Sequence, residues 1–341
     1  MNADNSTQMA ADKTSGRWVV AKVVAIAMAI VASSVAAHQH GEQWALANEY
    51  PATSLPGEGD EQFAKLVADE TQGAISIVTM PDAKLGYKSR EQLKAVADGK
   101  VAMADTLGGA IGDAEPVFAL SSLPFIVGTI GEARALYDAA RPSYEAAFEK
   151  HNQKLLYATP WPPSGLWTKA PADTPEAISR LRIRTYDKTG TDIFTRLGAR
   201  ATIVSFSDLT PRLASGEIDA VLSSGDGGAG RKLWEYLPRF TEINYAIPLS
   251  FTTVNLDRWN GLDDATRAGV AKAARQTEAR QWKAQEARLA QNYERMRAQG
   301  VTIATEISPQ LRQRLREEGR DATLEWAGRV GPEAREILER R

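Results

Sequence analysis

The stretch of sequence that decides the fold is RLRIRTYDKTGTDIFTRLGARATIVSFSDLTPRLASGEIDAV, residues 180–221. Two apolar strands, near 181–184 and 201–206, alternate with two helical patterns and lead into a third strand within 215–221. Strand, helix, strand, helix and strand in about 40 residues is typical of a parallel sheet with crossover helices. Ligands bind at the carboxyl ends of such strands, which makes Arg184 the leading candidate for binding an anion. Its planar guanidinium matches a carboxylate in a way that a lysine does not.

Short motifs within and around this stretch occur in an order that resembles the substrate-binding proteins of TRAP transporters. That family usually carries Gly-Leu-Lys-Ile-Arg, then Leu-Gly-Ala, then Gly-Val-Val-Asp-Gly, preceded by Leu-Pro-Phe and Thr-Pro-Glu-Asp-Leu. The corresponding segments here are Arg180–Arg184, Leu197–Ala199, Gly216–Ala220, Leu123–Phe125 and Thr174–Ile178. The resemblance spans about residues 43–305 and rests on the order of these motifs together.

The resemblance implies an α/β protein with a two-lobed, periplasmic-binding-protein-like fold and a long helix spanning both lobes. It implies a solute-binding protein that captures a small organic acid in the periplasm and delivers it to the membrane subunits of a TRAP-type transporter. Arg184 would clamp the carboxylate of that acid. Such a protein needs no cofactor and performs no catalysis, and we expect a monomer whose lobes close about a hinge.

Residues 1–37 have the layout of a secretory signal peptide. Lys13, Arg17 and Lys22 precede an apolar run over 23–32, and Val35-Ala36-Ala37 offers a small-residue cleavage site. The apolar run is shorter than the about 20 residues that a membrane-spanning helix needs. We therefore expect cleavage near Ala37 and a periplasmic protein, with an uncleaved anchor as the alternative.

The composition argues against several classes of protein. Asp and Glu number 43 against 41 Lys and Arg, so the chain lacks the basic excess that nucleic acid demands. Because the chain has no Cys, disulfides, thiolate chemistry and a Cys-built metal site are all excluded. His38 and His40 lie beside the expected cleavage point, and His151 lies in a predicted loop. A Ser-His-Asp relay therefore has no good candidate, and we expect no metal site.

The order of elements divides the chain into consecutive parts. Residues 38–160 form a first α/β lobe, and 161–250 form a second α/β lobe that holds the carboxylate site. Residues 251–263 return to the first lobe as a strand. Residues 264–299 form one helix of about 54 Å, long enough to span both lobes. Residues 300–341 supply a C-terminal strand and helices.

The run Gly225-Asp226-Gly227-Gly228-Ala229-Gly230 matches the G-x-G-x-x-G pattern of dinucleotide sites. It lies late in the chain before a short helix, and export does not favour NAD, so a cofactor site is not expected. Glycine amides at a helix start suit an anion instead. The TRAP family usually carries Glu-Asn where this chain has Leu222-Ser223. Ser223, Ser224 or Asp226 is therefore predicted to replace the usual Asn contact.

Two tryptophans flank the proline-rich crossing between the predicted lobes. Many TRAP relatives carry a second Arg in a Gly-x-Arg motif, where this chain has Gly165-Leu166-Trp167. Replacing a cation by an indole favours a less charged ligand, such as an aromatic or cyclic monocarboxylate, with Trp161 and Trp167 in the site. The alternative, that both rings pack in the hinge, is equally good because large aromatics usually serve cores.

Four further candidates come from the first lobe. Glu49, Tyr50 and Thr106 lie at the carboxyl ends of predicted strands and face the predicted cleft. Phe125 follows Pro124 and is a candidate for the cleft wall, although a core position explains it as well. Beyond Arg184, Asp187 is placed to cap the following helix.

Two other functions stay open at this level. An exported hydrolase could use two carboxylates across a cleft, but the sequence contains no paired-acid motif that supports it. A receptor that presents its bound ligand to a sensor protein would need the same binding site as a transport protein. The sequence does not separate that role from transport, and it does not identify the ligand.

Overall fold

The computed structural model describes residues 41–340, so the predicted signal peptide and its cleavage near Ala37 lie outside the described residues. The described chain contains two β-sheets flanked by helices. This confirms the predicted α/β class. In the part of the chain that is described, no helix combines the length and the apolar character needed to cross a bilayer.

The first sheet has five strands in the order β2-β1-β3-β10-β4. Its strands are β1 (Glu42–Asn48), β2 (Ile75–Met80), β3 (Met103–Leu107), β4 (Gln153–Pro160) and β10 (Leu249–Asn255). β1 and β3 are parallel, while β10 runs antiparallel to both β3 and β4. The late strand β10 therefore lies between two early ones, which is how the chain returns to its first lobe.

The second sheet has six strands in the order β11-β9-β5-β8-β6-β7. Its strands are β5 (Ser164–Thr168), β6 (Arg182–Thr185), β7 (Arg200–Ile203), β8 (Ala220–Ser224), β9 (Arg239–Thr241) and β11 (Thr302–Ala304). β6 pairs in parallel with both β7 and β8, as the pattern over 180–221 predicts. The end of β6, which carries Arg184, therefore lies in the middle of the parallel part of the sheet.

Eleven α-helices connect and cover these sheets within the described residues. They are α1 (Leu55–Glu70), α2 (Ser89–Ala97), α3 (Ile130–Lys150), α4 (Pro175–Ser179), α5 (Lys188–Arg196), α6 (Leu209–Ala214), α7 (Gly225–Gly230), α8 (Leu256–Asn260), α9 (Asp264–Ala298), α10 (Pro309–Val330) and α11 (Pro332–Glu339). Short 3-10 turns add Gly108–Ile111, Pro116–Ser122, Phe206–Asp208 and Leu233–Glu235.

The long helix α9 joins the two lobes. Asp263 caps its start by accepting a hydrogen bond from the Thr266 amide at 2.8 Å, and Gly300 follows its end with φ +78°. Its 35 residues correspond to about 52 Å. α9 packs on α1 of the first lobe and on α7 of the second, so it tethers both.

Pro142 does not divide α3, although proline inside a helical stretch predicts a kink or two separate helices. The helix is continuous over Ile130–Lys150. Its buried face, which includes Tyr137, Ala140 and Tyr144, packs into the first-lobe core around Phe118. Burying this face offsets the lost backbone hydrogen bond.

Candidate ligand-binding site

Arg184 is a buried cation held by backbone carbonyls. Its side chain lies at the end of β6 and the residue is only 2% exposed. Its Nε donates to the Val204 carbonyl oxygen at 2.8 Å and one terminal nitrogen donates to the Leu222 carbonyl oxygen at 3.2 Å. Among the described residues, no carboxylate forms an ion pair with it. A guanidinium has five N–H donors, so these two bonds fix its plane and leave other donors for a ligand.

A small cavity lies against this guanidinium at the junction of the two sheets. Its lining residues are Glu49, Tyr50, Ser89, Arg90, Leu107, Ala110, Arg184, Tyr186, Ile203, Val204, Ser205 and Phe206. The lining comes from strand ends and loops of both lobes, as expected for the carboxyl edge of parallel strands. Its volume is about 10 Å³, close to that of one water-sized sphere. The two lobes are therefore closed around Arg184.

The carboxylate of Glu49 forms hydrogen bonds with residues of both lobes. One carboxylate oxygen accepts a hydrogen bond from the Ser89 amide at 2.9 Å, and the other accepts from the Ser207 amide and hydroxyl, both at 3.1 Å. Ser89 begins α2 in the first lobe, whereas Ser207 belongs to the second. Glu49 is 2% exposed and shares the cavity with Arg184, so the site contains one buried anion and one buried cation.

Aromatic rings form one wall of the cavity. The Tyr50 ring lies 4.5 Å from that of Phe206 and 4.7 Å from that of Trp161, centroid to centroid. Burial raises the pKa of the Tyr50 hydroxyl above its ordinary value, with Glu49 adding to the effect and Arg184 opposing it. Burial also lowers the pKa of Arg184, while Tyr50 and Glu49 counteract that change. Tyr50 therefore stays a neutral hydroxyl beside a charged guanidinium.

Ion pairs at the rim link the same two lobes. Lys88, just before α2, pairs with Asp208 of the second lobe at 2.7 Å, with both side chains about one-third exposed. Asp82 pairs with Arg231 at 3.2 Å in the same way. Exposed pairs of this kind each contribute little, roughly 0–1 kcal/mol. These ion pairs therefore stabilise the closed arrangement of the lobes only slightly.

Trp161 and Trp167 occupy different places. Trp161 packs on Tyr50 behind the cavity wall, and its indole N–H donates to the Ser250 hydroxyl at 3.1 Å. Trp167 is fully buried away from the cavity, where its indole N–H donates to the Ser224 carbonyl oxygen at 3.2 Å. A Cβ on Gly228 would stand 2.1 Å from this ring, so the ring itself requires a glycine there.

The glycine run forms the short helix α7, packed on every side by protein. Ser224 caps it by accepting a hydrogen bond from the Gly227 amide at 3.1 Å. Asp226 accepts from the Leu55 amide at 2.7 Å, from Arg288 at 2.6 Å and from Asn292 at 3.0 Å. Neither residue lines the cavity beside Arg184, and both form hydrogen bonds within the protein.

The remaining predicted residues also lie outside the cavity. Ser223 is buried opposite Gly165 in the pairing of β8 with β5. Thr106 lies inside β3, which continues to Leu107, and its hydroxyl donates to the Gln92 amide oxygen at 2.9 Å. Phe125 adopts φ +58° and packs against Tyr245 at 5.9 Å, on the side facing α10. Of the ten predicted residues, the structure brings Glu49, Tyr50 and Arg184 together.

The sequence did not single out Arg90 and Phe206, which also line the cavity. Arg90 is exposed and follows Ser89 at the start of α2. The sequence does mark Ser89 as a helix start, and helices that follow strands in α/β sheets begin near the ligand-binding edge. Arg90 could have been found from that rule, whereas Phe206 lies in a loop whose path the sequence does not specify.

A fold with two α/β lobes, a spanning helix and a buried cation at their junction defines the class of solute-binding proteins. A family model described as bacterial extracellular solute-binding protein, family 7, matches residues 46–328. The chain belongs to this family. The predicted resemblance to TRAP substrate-binding proteins is confirmed.

Solved structures and a curated relative agree with this assignment. DctP6 of Bordetella pertussis, an extracytoplasmic solute receptor binding pyroglutamic acid, matches with a TM-score of 0.84 and 28% identity, covering 87% of this chain and 98% of that one. A marine metagenome TRAP solute-binding protein specific for pyroglutamate matches with a TM-score of 0.84 and 26% identity, covering 88% and 98%. The C4-dicarboxylate-binding periplasmic protein DctP of Rhodobacter capsulatus is 25% identical over 232 residues, 64% of this chain and 66% of that protein.

Proposed function

We propose that this protein captures a small organic acid in the periplasm and delivers it to the membrane subunits of a TRAP-type transporter. The observation that carries the proposal is Arg184, a buried guanidinium with no carboxylate partner among the described residues. A buried charge without a direct ion-pair partner is costly, and a ligand carboxylate would relieve that cost through a charge-assisted hydrogen bond. The protein would act as a monomer with one ligand per chain.

The cavity favours a cyclic monocarboxylate that also carries an N–H group. Arg184 would bind the carboxylate, and the rings of Tyr50 and Phe206 would cover an apolar ring. Glu49 is acceptor-only, and one of its oxygens receives a single hydrogen bond, so it can accept another from the ligand. Pyroglutamate, the ligand of two similar receptors, has these groups. We therefore propose pyroglutamate or a close analogue.

Ligand entry requires the lobes to separate. A cavity of about 10 Å³ has room for about one water, so an organic acid neither enters it nor fits within it, and the lobes of the ligand-bound protein would lie further apart than in this structure. The contacts that cross the cleft include the hydrogen bonds of Glu49 with Ser207, the ion pair of Lys88 with Asp208 and the ring contact of Tyr50 with Phe206. Opening the cleft breaks these contacts, which fits a hinge that opens to release and closes to capture.

The test is calorimetric titration of the purified mature protein with three acids. Pyroglutamate is the expected ligand, its lactone analogue lacks the N–H, and succinate represents the C4-dicarboxylates. We expect one site per chain and the order pyroglutamate, lactone, succinate. Glu49→Gln should narrow the gap between pyroglutamate and the lactone. If the native protein bound pyroglutamate and its lactone analogue with equal affinity, a role for the N–H group would be excluded.

The competing function, an exported hydrolase, makes a different prediction. Bound acid should be recovered unchanged after long incubation, because a binding site that holds its ground state tightly lowers no barrier. Mass spectrometry of the recovered ligand decides this point. Repeated turnover that disappears in Glu49→Gln would assign the protein to the enzymes.

A further inference from the structure

An open groove lies between α10, α11 and the segment that follows the 3-10 turn Pro116–Ser122. Its lining comprises residues 124–126, the face of α10 that carries Arg316 and Leu324, and Leu338 of α11. We call this surface the α10 groove. Its volume is about 510 Å³, and it shares no lining residue with the cavity beside Arg184. The α10 groove is therefore separate from the proposed ligand site.

Leu324 leaves a large apolar side chain in water at the edge of this groove. It is 70% exposed, and no other large hydrophobic residue of the described chain is exposed. Phe125, Ile126 and Leu338 are partly buried beside it and continue the apolar surface. A contiguous apolar surface with charged residues at its rim is typical of an interaction site.

The walls of the groove are held in place by contacts within the protein. A Cβ on Gly319 would lie 3.0 Å from the Phe125 ring and from the Pro124 carbonyl oxygen, so α10 packs directly on this segment. The Phe125 amide donates to the Tyr245 carbonyl oxygen at 2.8 Å, and the Thr323 hydroxyl donates to the Gly319 carbonyl oxygen at 2.9 Å. The groove is therefore preformed and needs no rearrangement to receive a partner.

The lining of the groove contains two cations and no anion. Arg316 and Arg320 lie one helical turn apart on the same face of α10, and both are exposed. Within residues 41–340, neither guanidinium forms an ion pair. The neighbouring acids are engaged elsewhere, since Glu318 pairs with a residue of α5 and Glu317 accepts a hydrogen bond from Gln313 at 2.9 Å. The rim is thus complementary to carboxylates that a partner would supply.

We propose that the α10 groove is the surface on which the membrane subunits of the transporter dock, through an acidic segment that also carries apolar side chains. The inference rests on the proposed delivery function and specifies the surface that its partner recognises. Leu324 and Phe125 would contact the apolar side chains of that segment. Arg316 and Arg320 would pair with its carboxylates, a role for which arginine is favoured at interfaces.

The shape of the surface favours a protein segment over a small molecule or a lipid bilayer. A small-molecule site encloses its ligand and converges several polar groups on it, whereas these cations lie at the rim of an open groove. Recognition of an anionic bilayer typically uses a cluster of about four to eight cations, and the lining of the groove provides two. An apolar groove instead accepts the side chains of an amphipathic segment.

The first experiment measures pyroglutamate uptake by proteoliposomes containing the membrane subunits, at increasing concentrations of the purified mature binding protein. Arg320→Glu places a like charge against the acidic segment, so half-maximal uptake should require about 5- to 20-fold more protein. Leu324→Ser removes the apolar contact and should require about 5-fold more. Because neither residue lines the cavity beside Arg184, calorimetry should give both variants native pyroglutamate affinity.

Arg329→Glu is the matched control for Arg320→Glu. Arg329 is also exposed on α10, but it does not line the groove. It lies about two and a half turns beyond Arg320 and therefore on the opposite face of the helix. We expect this variant to support uptake at the same concentrations as the native protein.

Photochemical cross-linking tests the contact directly and does not depend on the identity of the ligand. Because the chain has no Cys, Leu324→Cys provides a single attachment point for a photoreactive label. Illumination on the same proteoliposomes should join it to a segment of the membrane subunits rich in Asp and Glu, identified by mass spectrometry. Ala214→Cys, at an exposed position of α6, is the control and should give little product.

Native uptake by both groove variants, or equal cross-linking from the two labelled positions, would overturn the proposal. Cross-linking of Leu324→Cys mainly to a second copy of this chain would do the same. Binding to protein-free phosphatidylglycerol vesicles that is lost in Arg320→Glu would assign the groove to lipid instead. A specific cross-link to the membrane subunits from a protein that binds no organic acid would support docking and reject the proposed ligand class alone.

Discussion

Two buried arginines, Arg184 and Arg288, lie between the same two lobes and differ in what surrounds them. Arg288 on α9 pairs with Asp226 at 2.6 Å and with Glu58 at 3.0 Å, and it also donates to the Thr53 carbonyl. Arg184 is as deeply buried, but its identified backbone partners are two carbonyl oxygens, which carry no full charge.

The difference separates a structural cation, Arg288, from Arg184, the cation proposed to bind the ligand. At Arg288 the counter-charges are built into the protein, so the site is complete and holds α1, α7 and α9 together. At Arg184 the protein fixes the orientation of the guanidinium with two carbonyl oxygens, and the carboxylate of Glu49 shares the cavity without forming an ion pair with it. Burial alone therefore does not identify a binding arginine. The distinguishing feature is whether its hydrogen-bond acceptors are carboxylates or uncharged carbonyl oxygens.

The largest effect is expected for Arg288→Met, which tests the structural role of Arg288. The substitution leaves Asp226 buried without its cation, and breaking a buried pair in this way costs about 3–5 kcal/mol. We expect a large loss of thermal stability, measured by calorimetry, and near-native pyroglutamate affinity in the fraction that stays folded. Weak binding with unchanged stability would reverse the roles assigned to the two arginines.

Trp167→Ala tests the packing around α7, the helix that carries the Asp226 partner of Arg288. Its ring fills the space against Gly228 and Phe240, and removing a buried tryptophan costs about 3–5 kcal/mol. Stability measured by denaturant titration should fall, while ligand affinity of the folded protein should not change. Trp161→Ala is the matched comparison, since Trp161 contacts Tyr50 of the cavity wall and should lower affinity as well.

Arg184→Met is the corresponding test of the cavity. Loss of the charge-assisted contact in a closed site should weaken carboxylate binding by about 2–5 kcal/mol, whereas stability should hold or rise because an unpaired buried charge is removed. Affinity is measured by calorimetry and stability by thermal unfolding. Arg182→Met is the control, because Arg182 lies on the same strand but is half-exposed and paired with Asp219 at 2.9 Å. Near-native affinity in Arg184→Met would refute the assignment.

The smallest expected effect is that of Arg90→Ala. This exposed cation lies at the edge of the cavity, so it should act by attracting the anion before closure. We expect a two- to five-fold lower association rate at low salt, on the order of what a single surface charge contributes, and little change in the dissociation rate. Stopped-flow measurements at low and high ionic strength check this. A salt-independent loss would mean that Arg90 contacts the bound ligand directly.

Local sequence patterns predicted the strands and helices well where the cause of the element lies in neighbouring residues. The pattern over 180–221 predicts β6, β7 and β8 because apolar runs and helix periodicity are local properties. The long helix was expected at 264–299 and runs from Asp264 to Ala298, since its cap and its terminating glycine are both encoded locally. The glycine run shows the limit of such patterns, because the G-x-G-x-x-G spacing is local while Gly228 is required by the distant ring of Trp167.

The sequence by itself determined the α/β class and the family and singled out Arg184 for the proposed carboxylate site, because strand order and the position of a residue at a strand end follow from the pattern of the chain. Only the tertiary structure decided which charges neutralise one another. Asp226 pairs with Arg288, which is 62 positions away in the sequence, and Glu49 accepts hydrogen bonds from Ser207, which is 158 positions away. Such pairings depend on how strands and helices far apart in the chain are brought together, and that long-range geometry leaves no local signature in the sequence.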